Sequence, residues 1–334
     1  MNPRLSILVG ASALALLSAC GGDGTNDNTV IEGVPFHVTA DNQVGVARAT
    51  LAGGLAVSNI ESATSAGGDT PSSVTSRAHA LASTVRHALA AGVGSRKTIA
   101  SASAHPAAAT TDTESCAAGG TMATTFDDRD GSQSLTTGDV LTVHFAQCRE
   151  SATLIYDGTA VITLTSTPTA TQIAADAVFQ QLSEVDGSVT STVDGPLAVV
   201  ENDTGTATDD TLTAGAGGVA ITLASTAFHD VASFAQGATV VVDTPASGDR
   251  FSVSLEGTMG IQSVTYNILS PVVHTISPLV QLATDAYPSS GVLRVSGNNS
   301  LLMTVIDATT VQLQVDDGSG TLTTTTVPWT TLLP

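Results

Sequence analysis

The 334-residue sequence predicts a mainly β protein: a large antiparallel meander forming a curled sheet or incomplete barrel, with two short N-terminal helices packed on it. A β-sandwich is the alternative. Three observations carry this reading. Beyond Cys116, apolar and polar residues alternate, as in Leu141, Val143 and Phe145 against Thr142 and His144. Phe251, Val253 and Leu255 repeat the pattern, as do Val311, Leu313 and Val315, and period two with one polar face marks a half-buried antiparallel strand. Thr and Val are abundant in the same region and suit a pleated surface. Turn signals punctuate it at Asp157-Gly158, Asp186-Gly187, Asp194-Gly195-Pro196, Asn298-Asn299 and Asp317-Gly318. A sheet that long must curl, close or split, because large twisted sheets rarely stay flat.

Residues 1–19 read as a secretory leader that is removed. Arg4 is the only basic residue among the first forty, the apolar run Leu5 to Leu17 follows it, and small residues close it. That run falls short of the roughly 20 apolar residues a spanning helix needs. It ends in Leu17-Ser18-Ala19-Cys20, with Gly21 and Gly22 behind. The string resembles the lipobox of bacterial lipoproteins, in which the cysteine is lipidated and becomes residue one. The resemblance implies acyl chains on Cys20 and a membrane as partner through them. Members of this class with Asp just after the cysteine stay in the inner membrane. Gly21 therefore implies the outer membrane, and the expected face is the periplasmic side, with the cell surface as the alternative. Two or more chains, at about 0.8 kcal/mol per buried CH₂, anchor stably.

Residues 20–29, the lipidated Cys and a run of Gly, Asp, Asn and Thr, hold nothing to bury and form a flexible tether. Residues 30–93 are expected to be a helical N-terminal region. It opens with a short strand from Val30 to Val38, after which Val44, Ala47, Leu51 and Leu55 recur on one helical face. Gly53 and Gly54 count against that helix. A second helix follows Pro71-Ser72-Ser73, with Val74, Ala78, Leu81, Ala82, Val85 and Leu89 on one face, Arg77, Arg86 and His87 on the other, and Gly92 to close it. Such a helix covers one face of the sheet or plugs one opening. Residues 94–115, rich in Ala, Ser and Thr with Pro106, read as a linker, and 116–334 as the β domain.

Charge is uneven. The formal charge is −20, and Cys116 to Pro334 carries twenty-two acidic and four basic residues, against four and five from Val30 to Thr111. A surface so poor in Lys and Arg does not neutralise phosphates, so nucleic acid is set aside as a partner. Aromatics at 3% leave neither stacking platforms for sugars or bases nor the girdles of a membrane barrel. With Cys20 acylated, Cys116 and Cys148 remain as an even pair, consistent with one disulfide in an oxidising compartment.

Two segments carry a second resemblance. Phe126-Asp127-Asp128-Arg129-Asp130-Gly131-Ser132 with Thr137-Gly138-Asp139 and the strand to Cys148, and Pro288 to Asn299, resemble a signature of uncharacterised proteobacterial envelope lipoproteins. That likeness implies architecture and address and transfers no catalytic residue. Independently, Asp127, Asp128, Asp130 and Asp139, with Ser132, offer hard oxygen ligands for calcium over a short stretch. The fit to a calcium loop is partial, since Phe126 and Thr137 fall where the first Asp and the last Glu belong, and a solvated turn explains the same residues. No other cofactor is indicated.

Catalytic motifs are absent. There is no Gly-x-Ser-x-Gly, no His-Glu-x-x-His and no phosphate-cradling loop, and His37, His79, His87, His105, His144, His229 and His274 are scattered. His229 beside Asp230 does not make half a triad, because neighbours on a strand face opposite ways. The sequence therefore points to a monomeric, non-catalytic binding or scaffolding lipoprotein that holds a lipid or other apolar ligand, or an envelope protein. A surface structural or adhesive protein is the alternative and a hydrolase the third reading.

Overall fold

The computed structural model describes residues 36–62 and 109–333, apart from 133, 170, 226–228, 264–265 and 319–320. Residues 1–35, with the leader, lipobox and tether, and the expected helix at 74–89 lie outside the described residues.

Alternation translates directly into a sheet. Seventeen strands form one antiparallel sheet among the described residues, and it is not a closed barrel. The strands β1 (Thr110–Ser115), β2 (Thr121–Asp127), β3 (Val140–Arg149), β4 (Leu154–Leu164), β5 (Gln172–Asp186) and β6 (Val189–Asp203) form a plain meander, each pairing with the next. At β6 the sheet forks. The first half of β6 pairs with β8 (Val219–Ala224) and the second half with β7 (Ala207–Ala214). β8 pairs with β9 (His229–Phe234) and β7 with β10 (Thr239–Pro245). Both arms rejoin on the long β11 (Arg250–Ser263), β10 on its first half and β9 on its second. β12 (Tyr266–Leu269) folds back on β11, and a second meander follows through β13 (Val272–Leu282), β14 (Ser290–Ser296), β15 (Ser300–Val305), β16 (Thr310–Asp316) and β17 (Leu322–Pro328). A helical turn, α2 (Trp329–Leu332), follows β17 directly. The stretch 94–115, expected as linker, thus contributes β1 to the sheet.

Sharp bends come from bulges on neighbouring strands. The ladder shifts register between Phe145 and Cys148, Asp157 and Thr159, and Phe179 and Leu182. Gln147 and Gln181 there adopt φ of 49° and Gly158 a φ of 109°. A Cβ on Gly158 would run into the Gln181 carbonyl oxygen, so only glycine fits. Two of the five expected turns are therefore corrected. Asp157-Gly158 is a bulge inside β4, and Asp194-Gly195-Pro196 lies inside β6, at the point where that strand exchanges β8 for β7.

Inside the curl lies α1 (Gln43–Ser62). Val46, Ala47 and every residue from Ala49 to Gly54 are buried, which wraps the full circumference of the helix. It touches β7 to β11 as well as β15, β16 and α2. The helix is thus enclosed by the sheet rather than laid on it, and the glycines that count against it in the sequence are what allow it to fit. A Cβ on Gly53 would lie 2.5 Å from the Ala232 Cβ, and one on Gly54 would overlap Leu255. Replacing Gly53 by Ala gains about 1 kcal/mol of helix propensity. It also forces α1 off β9, an overpacking penalty of about 1–3 kcal/mol. We expect the penalty to win and the Gly53→Ala midpoint in urea to fall; an unchanged or higher midpoint contradicts the enclosed position.

The segment before α1 is stapled to the β14–β15 turn. Asn299 accepts the Val38 N–H at 2.8 Å and donates to the Val38 carbonyl at 2.6 Å, completing main-chain pairing with a side chain. Asn298 N–H reaches the Phe36 carbonyl at 3.2 Å. Phe36 and Val38 are buried and held by this staple; of the strand expected over 30–38, residues 36–38 are not in strand conformation and 30–35 lie outside the described residues.

Candidate functional site

The acidic loop between β2 and β3 is built around Asp139, which is buried. Its carboxylate accepts the main-chain N–H of Arg129 at 3.1 Å and of Thr136 at 2.7 Å. Asp130 accepts the Ser132 N–H at 2.9 Å and the Thr136 hydroxyl at 2.8 Å, and Asp128 accepts the same Ser132 N–H at 3.1 Å. Oxygens of Asp128, Asp130 and Asp139 all lie within 4.8 Å of one another, so three of the four calcium candidates converge. Asp127 instead faces Arg129, at 3.3 Å. The carboxylates hold the loop by accepting its own N–H and O–H groups, which accounts for their spacing without a cation.

Hydrogen bonds from Ser132, through hydroxyl and main-chain N–H, and from the Thr136 hydroxyl lower the Asp130 pKa from 3.8 to about 2. A depressed carboxyl stabilises the folded loop fully above its unfolded pKa. That contribution fades as pH falls from about 4 and is gone below about 2. We expect the Asp130 side-chain carboxyl carbon to titrate near pH 2 by NMR; titration near 4 contradicts the network. Asp307 is lowered in the same way by Thr309 first and then Thr310, and it organises the β15–β16 turn.

A second site appears where the two cysteines meet. Cys116 and Cys148 are disulfide-bonded, with Cα atoms 5.4 Å apart. The bridge pins the β1–β2 turn to the end of β3, where Ala118 N–H donates to the Arg149 carbonyl and Arg149 N–H to the Gly119 carbonyl, each at 2.7 Å. Beside it opens a cavity of about 150 Å³ lined by Glu114, Ser115, Cys116, Met122, Phe145, Glu150 and Tyr156. The Phe145 and Tyr156 rings stand 5.8 Å apart at 49° and form its aromatic wall. Glu150 Oε1 lies 3.7 Å from Cys148 Sγ. The charged groups of the lining are the two carboxylates, Glu114 and Glu150, both exposed at the rim.

The described histidines do not assemble. His79, His87 and His105 lie outside the described residues, and His37 is exposed. His144 Nδ1 sits 3.0 Å from the Thr159 hydroxyl on an exposed stretch of β3 and β4, away from the cavity lining. His274 pairs with Glu256 at 2.7 Å, again on an exposed face. His229 is exposed while Asp230 is buried and bound to Arg48, so the two neighbours do face opposite ways.

No family model, curated protein or solved structure matches this chain.

Proposed function

We propose that this chain is an acyl-anchored lipoprotein of the outer membrane, facing the periplasm, whose acidic β body binds or scaffolds rather than catalyses. The observation that carries the anchored half is Leu17-Ser18-Ala19-Cys20 behind a short apolar leader. Support for scaffolding comes from α1, because the apolar interior of the curled sheet is occupied by the chain's own helix. Contacts with other molecules then fall to the outer faces, edges and loops. The anchor is tested by mass analysis of the protein from envelopes and by Cys20→Ala. We expect a leaderless, acylated Cys20 and release of the variant from the membrane fraction; an intact leader or a bare sulfur overturns the reading.

A second version, a carrier of an apolar ligand, requires α1 to share or leave the interior. Native mass spectrometry separates the two, since co-purifying lipid supports the carrier and its absence supports the scaffold. Protease added to intact cells separates both from a surface adhesin, because a periplasmic body is protected.

A further inference from the structure

β1 is an edge. Among the described residues it pairs only with β2, from Thr110 opposite Phe126 to Ser115 opposite Thr121, and all six of its side chains are exposed. Along its other side no described residue takes up the main-chain N–H and C=O groups, and the strand carries no Pro, Lys or Arg to guard them. Its charges are Asp112 and Glu114, which repel acidic strands and attract basic ones.

The register ties this edge to the cavity by the disulfide. Glu114 stands opposite Met122, and Met122 opposite Phe145, so the three share one face, and all three line the cavity. Residues directly opposite on paired strands point to the same side. A strand added to β1 therefore places the side chain facing Glu114 above that cavity. There it meets two carboxylates at the rim and the Phe145 and Tyr156 rings in the wall. A volume of about 150 Å³ admits a group the size of benzene, large enough for the end of a Lys or Arg side chain, and aromatic faces add cation–π attraction.

We propose that β1 and the adjacent cavity form a docking site for an extended basic peptide segment, which pairs with the β1 edge and inserts one Lys or Arg side chain between Glu114 and Glu150. Charge selects this occupant. A second copy of this chain carries −20 and would set its own acidic surface against the same carboxylates. The site does not depend on acylation of Cys20, so its failure and that of the anchored reading are separable.

The test uses the full-length protein in detergent and a seven-residue peptide of alternating Thr and Val with a central Lys, acetylated and amidated at its ends, followed by calorimetry and amide hydrogen exchange. We expect binding that weakens at least tenfold when the Lys is replaced by norleucine, and equally when Glu114→Gln and Glu150→Gln are combined. Amides of β1 should gain protection on binding. Both carboxylates are exposed, so the double variant keeps the fold, and circular dichroism verifies this. Equal affinity for the norleucine peptide, protection gained elsewhere but not in β1, or no heat at millimolar peptide overturns the proposal.

Discussion

Replacing Arg48 by Met is expected to destabilise the protein by about 3–5 kcal/mol, among the largest effects of any single substitution here. Arg48 projects from α1 and forms an ion pair with Asp230 on β9, Nε meeting Oδ2 and the second guanidinium nitrogen lying 3.4 Å from Oδ1. The Asp230 side chain is 1% exposed and that of Arg48 19%, so the carboxylate is shielded and its counter-charge only partly so. Removing the guanidinium leaves a buried negative charge, on the same strand face as Ala232 and Phe234, without its counter-charge. Coulomb attraction is not what the variant loses most. The larger loss is the desolvation of Asp230, which the pair had offset, and this fixes the form of the control. Arg48→Met with Asp230→Leu removes both charges and fills the space, and should recover most of the loss, because buried pairs exchanged for apolar residues are often neutral. Urea denaturation of the two singles and the double closes the cycle. A single-variant loss under 1 kcal/mol, or a double variant no better than Arg48→Met, contradicts the assignment.

The strands were legible because their signal is local. Leu141, Val143 and Phe145 are buried while His144 between them is exposed, as a period of two requires. Asp186-Gly187, Asn298-Asn299 and Asp317-Gly318 do close hairpins, at β5–β6, β14–β15 and β16–β17. Asp157-Gly158 and Asp194-Gly195-Pro196 mislead for a physical reason. A glycine at positive φ serves a bulge as well as a turn, and only the partner strand decides which. The position of α1 was hidden by composition, since Gly53 and Gly54 weaken a helix by propensity yet let it pack closely inside a sheet. Arg48 and Asp230 are 182 positions apart, and no spacing rule joins them. The cavity is equally non-local, since residues of four strands and one disulfide build its wall. The acidic loop shows the opposite case. Its residues stood out in the sequence, and the structure uses them as acceptors for their own turn.

Removing the disulfide with Cys116→Ala and Cys148→Ala is expected to lower stability by about 3–4 kcal/mol, the loop-closure contribution of a bridge spanning 32 residues. Where the loss falls matters more than its size. β1 buries none of its side chains, so among the described residues its ladder to β2, the Thr111–Thr125 hydroxyl contact, the bridge and the Ala118 and Arg149 hydrogen bonds hold that strand to the body. A strand with no buried apolar side chain opens at low cost once its covalent tie is gone. The variant should therefore lose exchange protection first in residues 110–120, at low denaturant. The strands around α1, from β7 to β11, should keep theirs until the global transition, because their contacts with the enclosed helix do not involve the cysteines. Cys148 is buried and Cys116 lines the cavity, so the same double substitution also opens the cavity wall and should weaken binding of the basic peptide. A uniform loss of protection across the sheet would assign the bridge a global role instead. An unchanged midpoint with unchanged exchange in residues 110–120 would show that the ladder alone holds β1.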